Sequence, residues 1–201
     1  MNVALIDYRA GNLPSVERAL RRAGAVVTRA SSPDALQGAE AIVLPGVGHF
    51  AALARGLDER GLREPLRRAI ELGAPFLGIC LGLHALYERS EEAPNELGLG
   101  MFAGAIAPLP PGVKLPHMGW NRVQFPQRSR LFDAISSDSF FYFAHSFAAI
   151  AIDDSTSAVC DYGVPFVAAL EKGNLFAVQF HPEKSGEVGA QILRNFLANA
   201  S

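Results

Sequence analysis

Phe76-Leu77-Gly78-Ile79-Cys80-Leu81-Gly82 decides how this 201-residue chain is read. The apolar run Pro75 to Ile79 predicts a buried strand, and the pattern from Leu81 to Arg89 predicts a helix. Cys80 falls on the turn between them, the place where an elbow presents a nucleophile. Glycines on both sides allow a tight turn and a close approach of substrate to the backbone. Free N–H groups and the positive end of the following helix favour the reactive thiolate. A free cysteine is more often a small buried hydrophobe, so one cysteine after one strand does not establish a nucleophile.

The chain before this stretch explains where the cysteine sits. Asn2 to Asp7 predicts a buried strand, and Leu13 to Ala23 a helix with Val16, Ala19, Leu20 and Ala23 on one face, closed by Gly24. Ala25 to Arg29 predicts a second strand, Ser31 to Asp34 a turn into a short helix, and Ala41 to Leu44 a third strand. Helices around Phe50 to Leu57 and Leu62 to Leu72 then lead to the Cys80 strand. This βαβαβ order implies a parallel sheet with helices on both faces, and such sheets carry their sites at the carboxyl ends of the strands. The third strand ends in Pro45-Gly46-Val47-Gly48-His49-Phe50. Glycines on either side of Val47 free its amides to rotate, so Gly46 and Val47 are candidate oxyanion donors; a plain strand-to-helix turn is the blander alternative.

After Glu92 the pattern changes to short apolar pieces punctuated by proline and glycine, which predicts antiparallel strands and loops. Phe140 to Phe147 is a dense aromatic strand, and Val167 to Leu170 with Leu175 to Phe180 predicts a hairpin turning at Glu171-Lys172-Gly173-Asn174. That hairpin ends in Gln179-Phe180-His181-Pro182-Glu183-Lys184-Ser185. A cysteine nucleophile needs a base, and the base needs an orienting group. His181 and Glu183 alternate on a segment expected to be extended, so they share a face. An elbow cysteine, a glycine-rich strand end and a His-x-Glu pair together make a Cys80-His181-Glu183 triad assembled from distant segments. A helix over about Val188 to Ala198 closes the chain.

Composition narrows the class. The chain is 49% hydrophobic and 19% charged with a net charge of −2, which lacks the basic excess of a nucleic-acid-binding surface. Two widely spaced cysteines do not form a disulfide framework and point to a reducing compartment. Neither a signal peptide nor a membrane-spanning run is expected, so a cytoplasmic location is. One domain over residues 1–201 is expected.

These motifs together resemble a family. The Phe76–Gly82 stretch and Val178-Gln179-Phe180-His181-Pro182-Glu183 are similar to the signatures of class I, triad-type glutamine amidotransferases. Pro45–Phe50, Pro116-His117-Met118-Gly119-Trp120-Asn121, Tyr142–Phe147 and Asp7-Tyr8-Arg9-Ala10-Gly11-Asn12-Leu13 resemble more narrowly the glutaminase subunits of imidazole glycerol phosphate synthases. The resemblance implies a single flavodoxin-like αβα domain with a mixed, mainly parallel sheet. It implies hydrolysis of glutamine by Cys80, His181 and Glu183 through a thioester. The oxyanion then rests near Gly46 and Val47 and on the N–H of Leu81. Gly48, His84, Glu92, Ser146 and Phe147 match substrate-binding positions. Asn12, Tyr142 and Lys184 match interface or gate positions for a (β/α)8-barrel cyclase subunit that takes up the ammonia. No metal or cofactor is implied.

Trp120, the only tryptophan, is an interface anchor or ordinary core. The family usually carries glutamine four residues after the cysteine, where this chain has His84. Other readings are less well matched. A glutaminase of pyridoxal phosphate synthase would carry Gly-Gly-Glu-Ser where Pro45-Gly46-Val47-Gly48 stands. A non-catalytic synthase subunit has no need of a complete triad, and a cysteine peptidase of similar fold no need of Pro116–Asn121.

Overall fold

The structure is a computed structural model, and it describes residues 1–9 and 12–200. Ala10 and Gly11 of the Asp7–Leu13 stretch lie outside the described residues. Seven strands form the central sheet: β1 (Asn2–Ile6), β2 (Val26–Ala30), β3 (Ala41–Gly46), β4 (Phe76–Cys80), and, from the other end of the chain, β10 (Thr156–Asp161), β11 (Pro165–Lys172) and β12 (Leu175–Val178). Their order is β10-β11-β12-β4-β3-β1-β2. From β12 to β2 all neighbours are parallel, while β11 pairs antiparallel with both β10 and β12. The sheet is therefore mixed and mainly parallel, and the β11–β12 hairpin is what carries the C-terminal motif back beside the cysteine strand.

Alternation along the strands builds two cores, as it must when both faces are covered. Val3 and Leu5 of β1 face one side, where they meet α1 (Leu13–Arg22) and the C-terminal α5 (Gly186–Asn199). Ala4 and Ile6 face the other, against α2 (Phe50–Glu59) and α3 (Arg63–Glu71). Helix α1 ends in a Schellman arrangement: Ala25 N–H bonds the Leu20 carbonyl and Gly24 N–H that of Arg21, with Gly24 at φ +103°. No helix among the described residues is long and apolar enough to cross a membrane.

Three expectations change. The helix expected over Leu81 to Arg89 is a single turn, α4 (Leu81–His84), followed by β5 (Tyr87–Ser90). The carbonyls a longer helix would use are taken from outside it: Ala85 by the Leu99 N–H at 2.6 Å, and Leu86 by Met101 and Phe102. A single turn offers Cys80 free first-turn N–H groups rather than a full macrodipole. Strand β5 then pairs parallel, not antiparallel, with β6 (Phe102–Pro108), which pairs antiparallel with the short β9 (Phe147–Ala148). A separate antiparallel ribbon joins β7 (His117–Arg122) to β8 (Phe140–His145). Finally, Pro182–Lys184 is a 3₁₀ turn, so Glu183 reaches His181 by curling back and not by alternation along an extended strand.

Candidate active site

Cys80 ends β4 at φ 53°, ψ −105°, a left-handed conformation that a residue with a Cβ adopts only when its surroundings impose it. The surrounding glycines supply that constraint. A Cβ on Gly82 would lie 1.9 Å from the Leu44 carbonyl oxygen, and one on Gly78 2.7 Å from the Gly82 carbonyl oxygen. These glycines therefore let the turn pack onto backbone; the expected room for substrate beside them is already filled. Gly46 is equally confined, since its Cβ would meet Leu81 Cβ at 2.6 Å and the Tyr8 hydroxyl at 2.9 Å. That hydroxyl is buried without a formed hydrogen bond. Burial first, then charge on Cys80, pushes its pKa up, against the opposing Val47 amide. The elements that bear Gly46, Val47, Cys80 and Leu81 thus converge on one corner of the sheet. Gly48, at φ +97°, has open space around it.

His181 follows β12 at the same edge. Its Nδ1 lies 2.9 Å from Glu183 Oε1, and both side chains are 1% exposed. The backbone is pinned by β8: His181 N–H donates to the Tyr142 carbonyl at 2.8 Å, Tyr142 N–H to Ser185 Oγ, and Ser185 O–H back to the His181 carbonyl. Burial alone would lower the His181 pKa, but the Cys80 sulfur and then Glu183 overcome it and push it up to about 10. Nε2, the ring nitrogen left for Cys80, has no formed hydrogen bond. Such contacts commonly tighten only once substrate is bound. The other cysteine contrasts with Cys80: Cys160 is buried in β10, where burial and then Asp161 push its thiol up to about 12.

One cavity is lined by Val47, Gly48, Cys80, His84 and Glu92 together with the segment Ala144–Phe147. It unites five residues drawn from separate motifs: Gly48, His84, Glu92, Ser146 and Phe147. Its volume is about 50 Å³, a small recess beside Cys80. Glu92 is held in place because its Oε2 accepts the Phe50 N–H at 2.8 Å at the start of α2.

Two groups escaped the sequence reading. Gln179, fully buried, donates from Nε2 to Cys80 Sγ at 3.6 Å and places Oε1 2.7 Å from His84 Nε2. Behind Phe147, His145 Nδ1 bonds the Phe147 carbonyl at 2.9 Å and its Nε2 is 3.0 Å from His117 Nδ1. Its neighbours in sequence gave a signal for Gln179, two residues before the base; the histidine pair comes together only through the β7–β8 register, which sets His117 opposite His145.

The interface candidates form a patch on that same ribbon. Trp120 is 55% exposed, which removes the core-burial alternative. Its ring meets Tyr142 edge-on at 5.9 Å, and Lys184 Nζ stands 5.6 Å over the other's centroid. Asn12 is elsewhere, ahead of α1, where its carbonyl accepts the Ser15 N–H.

Comparison with known proteins places the chain in a family. Residues 4–200 match the family model described as glutamine amidotransferase class-I. The imidazole glycerol phosphate synthase subunit HisH of Methanothermobacter thermautotrophicus is 47% identical over 195 residues, 97% of each chain. That of Thermococcus kodakarensis is 46% identical over 199 residues, 96% of this chain and 98% of the relative. Among solved structures, a glutamine amidotransferase superposes with a TM-score of 0.79 at 19% identity, covering 98% of both chains. PurLQS from Thermotoga maritima gives 0.76 at 22%, covering 98% and 97%. The structures speak to the fold, and the sequence relatives to the family: the chain belongs to the class-I glutamine amidotransferases, in the group of imidazole glycerol phosphate synthase subunits HisH.

Proposed function

We propose that this chain, one catalytic domain over residues 1–201, hydrolyses L-glutamine and passes the ammonia to a (β/α)8-barrel cyclase subunit. The cyclase would then make imidazole glycerol phosphate and aminoimidazole carboxamide ribotide, in histidine biosynthesis. His181 removes the Cys80 thiol proton, and the sulfur attacks the side-chain carbonyl carbon. The oxyanion is held by N–H groups of the Gly46–Val47 segment and of Leu81. The C–N bond breaks as His181 returns the proton to the leaving nitrogen, and water then hydrolyses the thioester. Glu183 keeps the imidazole oriented and stabilises its charged form. Glu92, the carboxylate on the cavity wall, suits the substrate's ammonium group. Two unpaired cysteines fit a cytoplasmic setting.

The observation that carries this reading is the buried His181–Glu183 pair at 2.9 Å beside an elbow cysteine. The partner rests on the names of the relatives and on the exposed Trp120–Tyr142–Lys184 patch. The test is the chain combined with the cyclase, supplied with the ribulosyl-formimino nucleotide and either glutamine or ammonia. Cys80→Ala should abolish the glutamine-dependent reaction and leave the ammonia-dependent one. Glutamine-dependent turnover by the Cys80→Ala complex would refute the assignment.

A further inference from the structure

Gln179 stands between Cys80 and His84. Its backbone is fixed, because its N–H donates to the Ala168 carbonyl at 2.9 Å. Its side chain is fully buried, and both ends of the amide are engaged: Nε2 with Cys80 Sγ at 3.6 Å, Oε1 with His84 Nε2 at 2.7 Å. A thiolate only accepts hydrogen bonds. An amide turned the other way would set its oxygen against the sulfur, acceptor to acceptor. So the NH₂ group faces the sulfur and Oε1 needs a donor, which is His84 Nε2–H. This selects the Nε2–H tautomer of His84. Its buried Nδ1 makes no formed hydrogen bond, and the Phe147 carbonyl on that side of the ring favours its protonated form.

We propose that Gln179 is a further catalytic residue, whose amide N–H holds the charge of the Cys80 thiolate, and that His84 is the positioning residue that keeps the amide turned toward the sulfur. The proposal rests on Cys80 being the nucleophile. It also accounts for the departure at position 84: an imidazole N–H and a carboxamide N–H serve Oε1 equally well, so histidine there leaves the nucleophile's surroundings intact. The other titratable groups facing the sulfur are His181 and Tyr8, with Glu92 and His145 farther along the cavity wall. None of them offers a neutral donor fixed at both ends.

Alkylation of Cys80 by iodoacetamide, followed from pH 5 to 10 on the full chain by peptide mass, reads the thiolate directly; the peptide bearing buried Cys160 is the internal reference. Gln179→Met, similar in shape but without the donor, should raise the pH of half-maximal alkylation by about one unit, as expected for losing one hydrogen bond to a charged group. In the complex with cyclase it should cut glutamine-dependent kcat near pH 7 roughly tenfold, with recovery at higher pH and ammonia-dependent synthesis retained. His84→Leu should shift alkylation the same way by less, and His84→Gln should restore the parent profile. Profiles for Gln179→Met and His84→Leu that overlay the parent overturn the proposal. If Gln179→Met does not fold, the His84→Leu and His84→Gln pair decides it. Failure of the underlying reading looks different: alkylating Cys80 in the parent would then leave glutamine hydrolysis intact.

Discussion

Gly46 and Cys80 are direct register partners, the last rung of the parallel pair between β3 and β4. The segment that carries the candidate oxyanion donors and the residue that carries the candidate nucleophile therefore end side by side. The spacing between them is set by the ladder and not by any loop. Gly46 has room for no side chain, with Leu81 Cβ and the Tyr8 hydroxyl both within 3 Å of where its Cβ would lie. This fixes where the donor strand ends beside the elbow and leaves the Val47–Gly48 peptide, with open space around Gly48, as the part that can turn.

Gly82→Ala should be among the most destabilising single-methyl substitutions in the chain. Its Cβ would sit 1.9 Å from the Leu44 carbonyl oxygen, which is backbone in the sheet interior and has no rotamer to escape into. Overpacking of this kind costs about 3 kcal/mol. Urea unfolding should show a lower midpoint with an unchanged m-value; a midpoint equal to the parent's would mean that the elbow relaxes at no cost.

Gly48 tests the backbone alone. At φ +97° a β-branched residue is strongly disfavoured, while the surrounding space is open, so Gly48→Val acts only through conformation. Rotation of the Val47 peptide between two states would let a partner switch an oxyanion donor on, and one such donor is worth roughly 10²–10³ in kcat. The isolated chain should be nearly inactive, and cyclase with nucleotide should stimulate the parent. Glutamate release by Gly48→Val should no longer respond to the nucleotide. Equal parent rates alone, in complex, and in complex with nucleotide would eliminate the switch.

Acid should unfold the protein through its buried histidines. Burial, first among the causes, lowers His84 and His117 to about 4 and His145 to about 3, against an ordinary value of 6.5. Between these values the unfolded chain binds more protons than the folded one. The stability is present above pH 6.5 and is lost as pH falls through that window, at up to about 1.4 kcal/mol per pH unit for each histidine. His181 has the opposite sign: raised to about 10, its contribution is complete below pH 6.5 and fades only as pH rises toward 10. The urea midpoint should drop steeply from pH 6.5 to 4.5, and less steeply in His84→Gln. A flat profile across that range would contradict burial of the three rings as neutral groups.

Trp120 reports on the partner. It is exposed, and its ring meets only the edge of Tyr142 in the patch that Lys184 completes. Adding the cyclase should blue-shift its emission as water is excluded, and Trp120→Ala should weaken association about 30-fold or more, as loss of an interface anchor does. Emission unchanged at saturating cyclase would place the interface elsewhere.

The sequence by itself determined the parallel half of the sheet, the elbow at Cys80 and the His181–Glu183 partnership. Each of these rests on local rules: apolar runs of strand length, glycines flanking a turn, and a base two residues from its orienting carboxylate. Periodicity misjudged Leu81–Arg89, because a helical pattern carries no record that the 97–102 segment takes the Ala85 and Leu86 carbonyls. Only the tertiary structure decided what lies across long sequence separations. It set Gln179 between Cys80 and His84, brought His117 within hydrogen-bond reach of His145 through a strand register, and left Trp120 in water. The physical reason is the same in each case. A hydrogen bond or a buried face needs a partner at a definite distance and angle, and for residues nearly a hundred positions apart only the packed sheet supplies it.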